Sequence, residues 1–285
     1  MAREGGAGSG ALRARIQRYY AGRARILEVS GTSRPGAFLF VIDAPERGRL
    51  IRTLGTIGRD GALLEQSAMD LERPERLVFA YDRAMLLALA LVAEPKSLLL
   101  LGLGGGAMCR HLAAYVPRAA VTVVERDPRV IALARRYFHL RREVVEADAI
   151  ERVADARGAF DVVMVDLYDA SGATPLDTGF WEDCRAALKP GGAIAVNWAG
   201  SLQGGLPREQ IEQALAALPG SFLLIVGGER PNVVLLGPTD PGFRIPDLAA
   251  RLRVFAARHK LPREDREVLR RCEVRAALSR RPRKR

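Results

Sequence analysis

The spacing of hydrophobic positions changes near Pro74. Between Ala24 and Asp70, short apolar segments (ARILEV, AFLFVID, RLIRTLG and ALLEQSA) are broken by Gly, Pro and Asp, the pattern of strands joined by turns. No helix of useful length fits there, so residues 25–73 are expected to form a small antiparallel β subdomain. Residues 1–24, rich in Gly and Arg, are expected to be a flexible N-terminus. Beyond Pro74 the period lengthens. Leu77, Tyr81, Met85, Leu86, Leu89 and Val92 recur at three- and four-residue steps and predict one helix that ends before Pro95.

Strands and helices then alternate. LLLLG (98–102), VTVVE (121–125), FDVVMVD (160–166) and AIAVN (193–197) read as buried strands, and EVVEAD as the end of a further one. Helices are expected over Gly106–Ala114, from the cap Asp127-Pro128 to about Phe138, over Ile150–Ala154, Phe180–Leu188 and Pro207–Leu218. FLLIV (222–226) and NVVLL (232–236) follow with only a short turn between them, so they must be antiparallel neighbours. Alternating elements argue an α/β doubly wound sheet covered on both faces. Five parallel strands and a terminal antiparallel pair resemble the class I AdoMet-dependent, Rossmann-like fold, with residues 74–240 as its catalytic domain. Residues 241–285 are expected to be a basic helical extension packed outside.

Composition narrows the classes. The chain has 285 residues, 48% hydrophobic and 27% charged, the balance of an ordinary globular protein. Its longest strongly apolar stretch, Met85–Ala93, is too short to span a bilayer, which takes ~18–20 residues. The start, MAREGGAGSGALRAR, has no apolar segment of a secretory signal. A cytoplasmic location without membrane association is expected. The net charge of +11 gathers at the end, where residues 251–285 hold 14 basic against 4 acidic side chains. Nucleic-acid binding by that tail is not the expected role; a solvated helical face ending in a disordered RRPRKR run is. Cys109, Cys184 and Cys272 form no CxxC pair, and three His residues have no ligand spacing, so no metal is expected.

The candidate chemistry lies at strand ends. Gly102, Gly104, Gly105 and Gly106 join a strand to a helix, where glycine lets a backbone approach a nucleoside closely. Glu125 ends the second strand, where a carboxylate can accept from a ribose diol. Asp148 ends the third strand region, suited to an adenine amine, and Asp166 ends the fourth. NAD is the rival ligand of the same glycines. Against it, the acids continue past the second strand, and Leu188-Lys189-Pro190-Gly191-Gly192 is a turn habitual in AdoMet-dependent transferases.

LLLLGLGGGAMCRHL, VTVVERDPRVIALARRYF, EADAIERV, FDVVMVDLYDASG and ALKPGGAIAVN stand in the order and spacing of the spermidine synthase family of polyamine aminopropyltransferases. QSAMDLERPERLVFAYDRAML resembles that family's segment leading into the core. The chain is similar to the bacterial spermidine synthase-like branch over about residues 36–237. The resemblance implies a donor of the S-adenosylmethionine type, usually decarboxylated, and a polyamine acceptor. It implies that Glu125 holds the ribose and Asp148 faces adenine, with Gln66 and the glycines completing the donor site. Asp166 becomes the catalytic base, Asp169 its partner for the acceptor's charge, and Tyr81 an orienting group. Asp82, Tyr168 and Asn197 are expected on the acceptor side, and a homodimer is the expected assembly.

Several positions depart from the family. Gly105 stands where the family has an Asp that binds the donor's ammonium. The family's Asp-Ser-Ser/Thr-Asp-Pro loop is Asp166-Leu167-Tyr168-Asp169-Ala170, its Gln after the fifth strand is Asn197, and its Tyr-His is Tyr81-Asp82. Aminopropyl transfer is therefore weighed against an AdoMet-dependent methyltransferase on the same scaffold and a non-catalytic nucleoside-binding homologue.

Overall fold

The computed structural model describes residues 6–33, 36–169, 172–200, 206–228, 231–240 and 242–276. Helix α1 (Gly6–Tyr19) leads into strands β1 (Arg25–Gly31), β2 (Phe38–Glu46), β3 (Arg49–Ile57) and β4 (Leu63–Asp70). These strands form a four-stranded antiparallel sheet in chain order. A register shift in the β3–β4 pairing pairs Gly55 with Glu65 and Leu54 with Ser67. Gln66 is the extra residue of that bulge, which re-aims side chains near the cavity described below.

The second part begins with α2 (Ala80–Met85) and α3 (Leu87–Leu91). The chain continues through β5 (Ser97–Leu101), α4 (Ala107–Tyr115), β6 (Ala120–Glu125), α5 (Pro128–Tyr137), β7 (Val145–Glu146), α6 (Ala149–Ala154) and β8 (Phe160–Val165). A small hairpin, β9 (Tyr168–Asp169) and β10 (Gly172–Ala173), precedes α7 (Thr178–Ala187) and β11 (Leu188–Ala199). Then come α8 (Arg208–Ala217), β12 (Phe222–Val226), β13 (Asn232–Pro238), α9 (Leu248–His259), α10 (Arg263–Arg266) and β14 (Cys272–Arg275).

The large sheet runs in the order β14-β12-β13-β11-β8-β5-β6-β7. Strands β7, β6, β5, β8 and β11 are parallel. β13 inserts antiparallel between β11 and β12, the doubly wound sheet with a terminal antiparallel pair expected from the sequence. The all-leucine strand β5 is explained by cover on both faces. Leu98 and Leu100 join the core shared with α2–α5 and α9, while Leu99 and Leu101 join the core under α6, α7 and α8.

Three expectations are corrected. The N-terminal residues 1–24 were expected to be flexible, yet residues 6–19 form α1. Its Ala, Leu, Arg and Gln residues are good helix formers, and fully buried Ile16 anchors it against Phe40, Ile42 and Ile57. The single helix expected over residues 77–92 is two short ones, α2 and α3, with Leu86 both ending the first and starting the second. The extension over residues 241–285 is not only helical: β14 pairs antiparallel with β12 and lengthens the sheet. Nor does it lie merely outside, because Leu248, Leu252, Phe255, Ala256, Leu261 and Val268 are buried in the main core. The RRPRKR run falls outside the described residues, as do Ala170 and Ser171. No helix among the described residues is long and apolar enough to cross a membrane.

Candidate active site

Sheet register places the site. Leu101 pairs with Val124 on one side and Val165 on the other, and Val165 pairs with Val196. The next residues along these strands, Gly102, Glu125, Asp166 and Asn197, therefore emerge side by side at the carboxyl rim, where open α/β sheets bind ligands. The crowding there fixes Gly102. Its φ is +100°, and a Cβ would run into the carbonyl oxygen of Asp166, so only glycine lets β5 leave the sheet beside β8.

A cavity of about 350 Å³ opens over this rim, within the ~300–1,000 Å³ of small-molecule sites. Gly102, Gly104, Glu125, Asp148, Asp166, Tyr168 and Asn197 line it from the large sheet's side; Gln66, Glu65, Thr56 and Leu39 line it from the small sheet. Tyr81 contributes from α2 between them. Gly105, Gly106 and Asp82 do not line it. Asp169 sits in the β9–β10 hairpin opposite Gly172; its side chain is outside what the structure describes.

One end of the cavity suits a nucleoside. The Glu125 carboxylate accepts from the backbone N–H of Leu103 at 3.2 Å and of Asp127 at 2.9 Å, which ties the glycine turn to the end of β6. Burial pushes its pKa upward, and those backbone donors oppose the shift. Asp148 caps α6, accepting from the Ile150 N–H at 2.8 Å, and its second oxygen lies 3.8 Å from the Arg126 guanidinium. Val130, Ala147, Ala149, Ile150 and Leu167 supply apolar wall.

The other end is acidic. Asp166 accepts from the Asn197 side-chain amide at 2.8 Å, and Asn232 in turn donates to the Asn197 side-chain oxygen at 2.9 Å. Burial pushes the Asp166 carboxyl up to about 6, while hydrogen bonds from Asn197 and Tyr81 favour its charged form. The Tyr81 hydroxyl also reaches the Gln66 carbonyl at 3.3 Å. The Tyr168 hydroxyl accepts from the Ala199 N–H and donates to the Asn197 carbonyl. Asp82 is buried behind this end; desolvation first, then the Asp166 charge, push it up to about 8, with Arg83 and Arg110 opposing.

Gly105 has a structural reason of its own. A Cβ there would lie 2.9 Å from the Phe138 ring and 3.0 Å from the Ser67 hydroxyl. The volume an acidic side chain would need is filled. Sequence reasoning missed Asn232, Glu65 and Arg126. Asn232 alone carried a signal, as a polar residue opening an apolar strand, but its partnership with Asn197 needs the β11–β13 register. Among the described residues no cluster of His, Cys, Asp and Glu is arranged to hold a metal.

Comparison with known proteins gives a consistent picture. The family model for a methyltransferase domain matches residues 98–192. A polyamine aminopropyltransferase of Chromobacterium violaceum is 37% identical over 180 residues, 60% of this chain and 67% of that one. A probable spermidine synthase from Corynebacterium glutamicum superposes with a TM-score of 0.63 at 18% identity, covering 87% of this chain and 91% of its own. Human methyltransferase-like protein 13, solved with SAH, superposes with a TM-score of 0.54 at 24% identity, covering 65% of this chain and 95% of its own. At those identities the two structures speak for the fold.

Proposed function

The chain belongs to the polyamine aminopropyltransferase family, and from that premise we propose that it moves an aminopropyl group from decarboxylated S-adenosylmethionine to an amine of a polyamine, with Asp166 as the base. The observation that carries this reading is Asp166 itself. It is a carboxylate at the cavity floor, aimed by Asn197 at 2.8 Å and tuned to about 6.

An alkylammonium has a pKa of ~10.4 and no free lone pair until it loses a proton. Asp166 accepts that proton. The freed nitrogen attacks the aminopropyl carbon bonded to sulfur; the carbon–sulfur bond breaks and its electron pair stays on sulfur, leaving methylthioadenosine. A base with a pKa just below neutral is ionised at pH 7 yet still basic enough to take a proton. Tyr81 and Tyr168 hold the acceptor end, and Glu125, Asp148, Gly102 and Gly104 hold the nucleoside. Positioning of this kind supplies up to ~7–11 kcal/mol of barrier lowering.

The donor's ammonium needs a counter-charge that Gly105 does not offer. Asp82, buried behind the acidic end, does not line the cavity, so it makes no direct contact with that ammonium and its ionised form would act on it only through space.

The same Gly105 favours a second reading, methyl transfer from S-adenosylmethionine itself, because the ammonium anchor of the family is missing. Kinetics of Asp166→Asn test the first reading. Aminopropyl transfer to putrescine should fall by at least ~10²-fold while calorimetric affinity for methylthioadenosine stays at the parental value. Undiminished turnover in the variant would refute the base assignment.

A further inference from the structure

Helix α2 is too short to hold its own orientation, since isolated helices below ~12–15 residues are marginal in water. It has six residues, and no side chain caps its first turn. Yet it carries Tyr81 and Asp82. Its setting therefore comes from outside. The next residue, Arg83, is buried and does not line the cavity. Its guanidinium donates to the Leu77 carbonyl and, at 3.4 Å, to that of Val78, just ahead of the helix. Its Nε lies 3.2 Å from the carboxylate of Asp265, in α10 of the C-terminal extension.

Asp265 has a second neighbour. Its other oxygen faces His111 Nε2 at 3.7 Å. His111 belongs to α4, the helix that opens directly from Gly106, and its Nδ1 donates to the Glu75 carbonyl at 3.0 Å. Asp265 and His111 are 4% and 0% exposed. One buried carboxylate, supplied from the far end of the chain, thus stands between the helix bearing Tyr81 and Asp82 and the helix of the glycine turn. A neighbouring pair reinforces the joint: Glu264 bonds Arg76 at 3.0 Å, and Arg76 reaches Asp70 at 3.5 Å.

We infer that Asp265 is a positioning residue for the reaction: through Arg83 it fixes the rotation of α2 and so aims Tyr81 and Asp82 at Asp166. Removing Asp265 takes from the buried Arg83 the strongest of its acidic neighbours and leaves only Asp82 and Glu264, so the helix that carries Arg83 must shift or hydrate. A displacement of ~1 Å at a reacting group can cost ~10²-fold in rate. The nucleoside cradle of Glu125 and Asp148 is not on α2, so nucleoside binding is spared. This inference rests on the proposed reaction, in which Tyr81 is an acceptor-side group.

The test uses the full chain carrying Asp265→Asn, which keeps the shape and removes the charge. The kcat for aminopropyl transfer should fall by ~10-fold or more, with methylthioadenosine affinity unchanged. Hydrogen exchange should rise in Ala80–Met85 and stay at the parental level in β5 and β6. Asp265→Glu should recover part of the lost kcat. Arg83→Ala should reproduce the defect, and the double variant should be no worse, because both changes break one linkage. If the Asn protein is insoluble, Arg83→Lys, which keeps the charge and loses the planar fork, should show the same pattern. Parental kcat, or exchange that rises evenly through the core, overturns the inference. If the parent protein transfers no aminopropyl group, the reaction reading fails, and the exchange measurement still decides whether Asp265 sets α2.

Discussion

Asp166 and Asp82 are both raised by burial first, but their neighbours differ, Asn197 and Tyr81 opposing the shift at Asp166 and the Asp166 charge adding to it at Asp82, so they should respond differently to substitution. Asp166 is lifted by burial and held down by the Asn197 amide. A hydrogen bond to a charged group is worth ~1.5–3 kcal/mol, or about a tenfold change in proton affinity or more. Asn197→Leu should therefore move the acid limb of the kcat/KM profile upward from about pH 6, and a limb left in place would show that Asn197 does not tune the base. Asp82 is lifted to about 8. A carboxyl whose folded pKa exceeds its unfolded value of ~3.9 binds more protons in the folded state, so stability falls as pH rises between the two values. Melting temperatures from pH 5 to 9 should decline in the parent and decline less in Asp82→Asn; parallel curves would contradict the placement of Asp82. Asp166 was legible because it ends an apolar strand; Asp82, in α2, was reached only through the family resemblance at Tyr81-Asp82. Asn232 and Asp265 were not, since their roles depend on partners 35 and 182 positions away in sequence.

At the scale of elements, periodicity disclosed what had neighbours on both faces. β5, β6, β8 and β11 are apolar runs between strong turn signals, and their order fixed the rim where the site lies. Elements held mainly by tertiary contacts were less visible. Helix α1 has a Gly-rich start and, among its residues of described burial, one fully buried anchor, Ile16, and β14 is four residues, CEVR, stabilised by pairing with β12. The charge pattern reads residues beyond Arg251 as a solvated helical face packed outside. The packing argues otherwise. Truncation there would strip Leu252, Phe255 and Leu261 from the core, each worth ~1.5–3 kcal/mol when buried, and would bare the edge of β12. The shortened protein should melt well below the parent or fail to stay soluble; an unchanged melting temperature would show that the extension does not support the core.

Across the whole molecule, the cavity lies where the small antiparallel sheet meets the carboxyl rim of the large one. The end suited to a nucleoside belongs to the large sheet, and Leu39, Thr56, Glu65 and Gln66 of the small sheet roof the rest. The space beside Gly105 is occupied by Phe138 and Ser67. Restoring an acid there is therefore not a gain of function but an overpacking, costing ~1–3 kcal/mol. Gly105→Asp should lower the melting temperature without improving donor affinity; tighter donor binding would mean that Phe138 and Ser67 yield. The central claim is the identity of the transferred group. The most direct measurement incubates the protein with putrescine and equal amounts of decarboxylated and ordinary S-adenosylmethionine, then weighs the products by mass spectrometry. The account predicts putrescine carrying one aminopropyl group, with methylthioadenosine released in equal amount; a methylated amine with S-adenosylhomocysteine as co-product would contradict it.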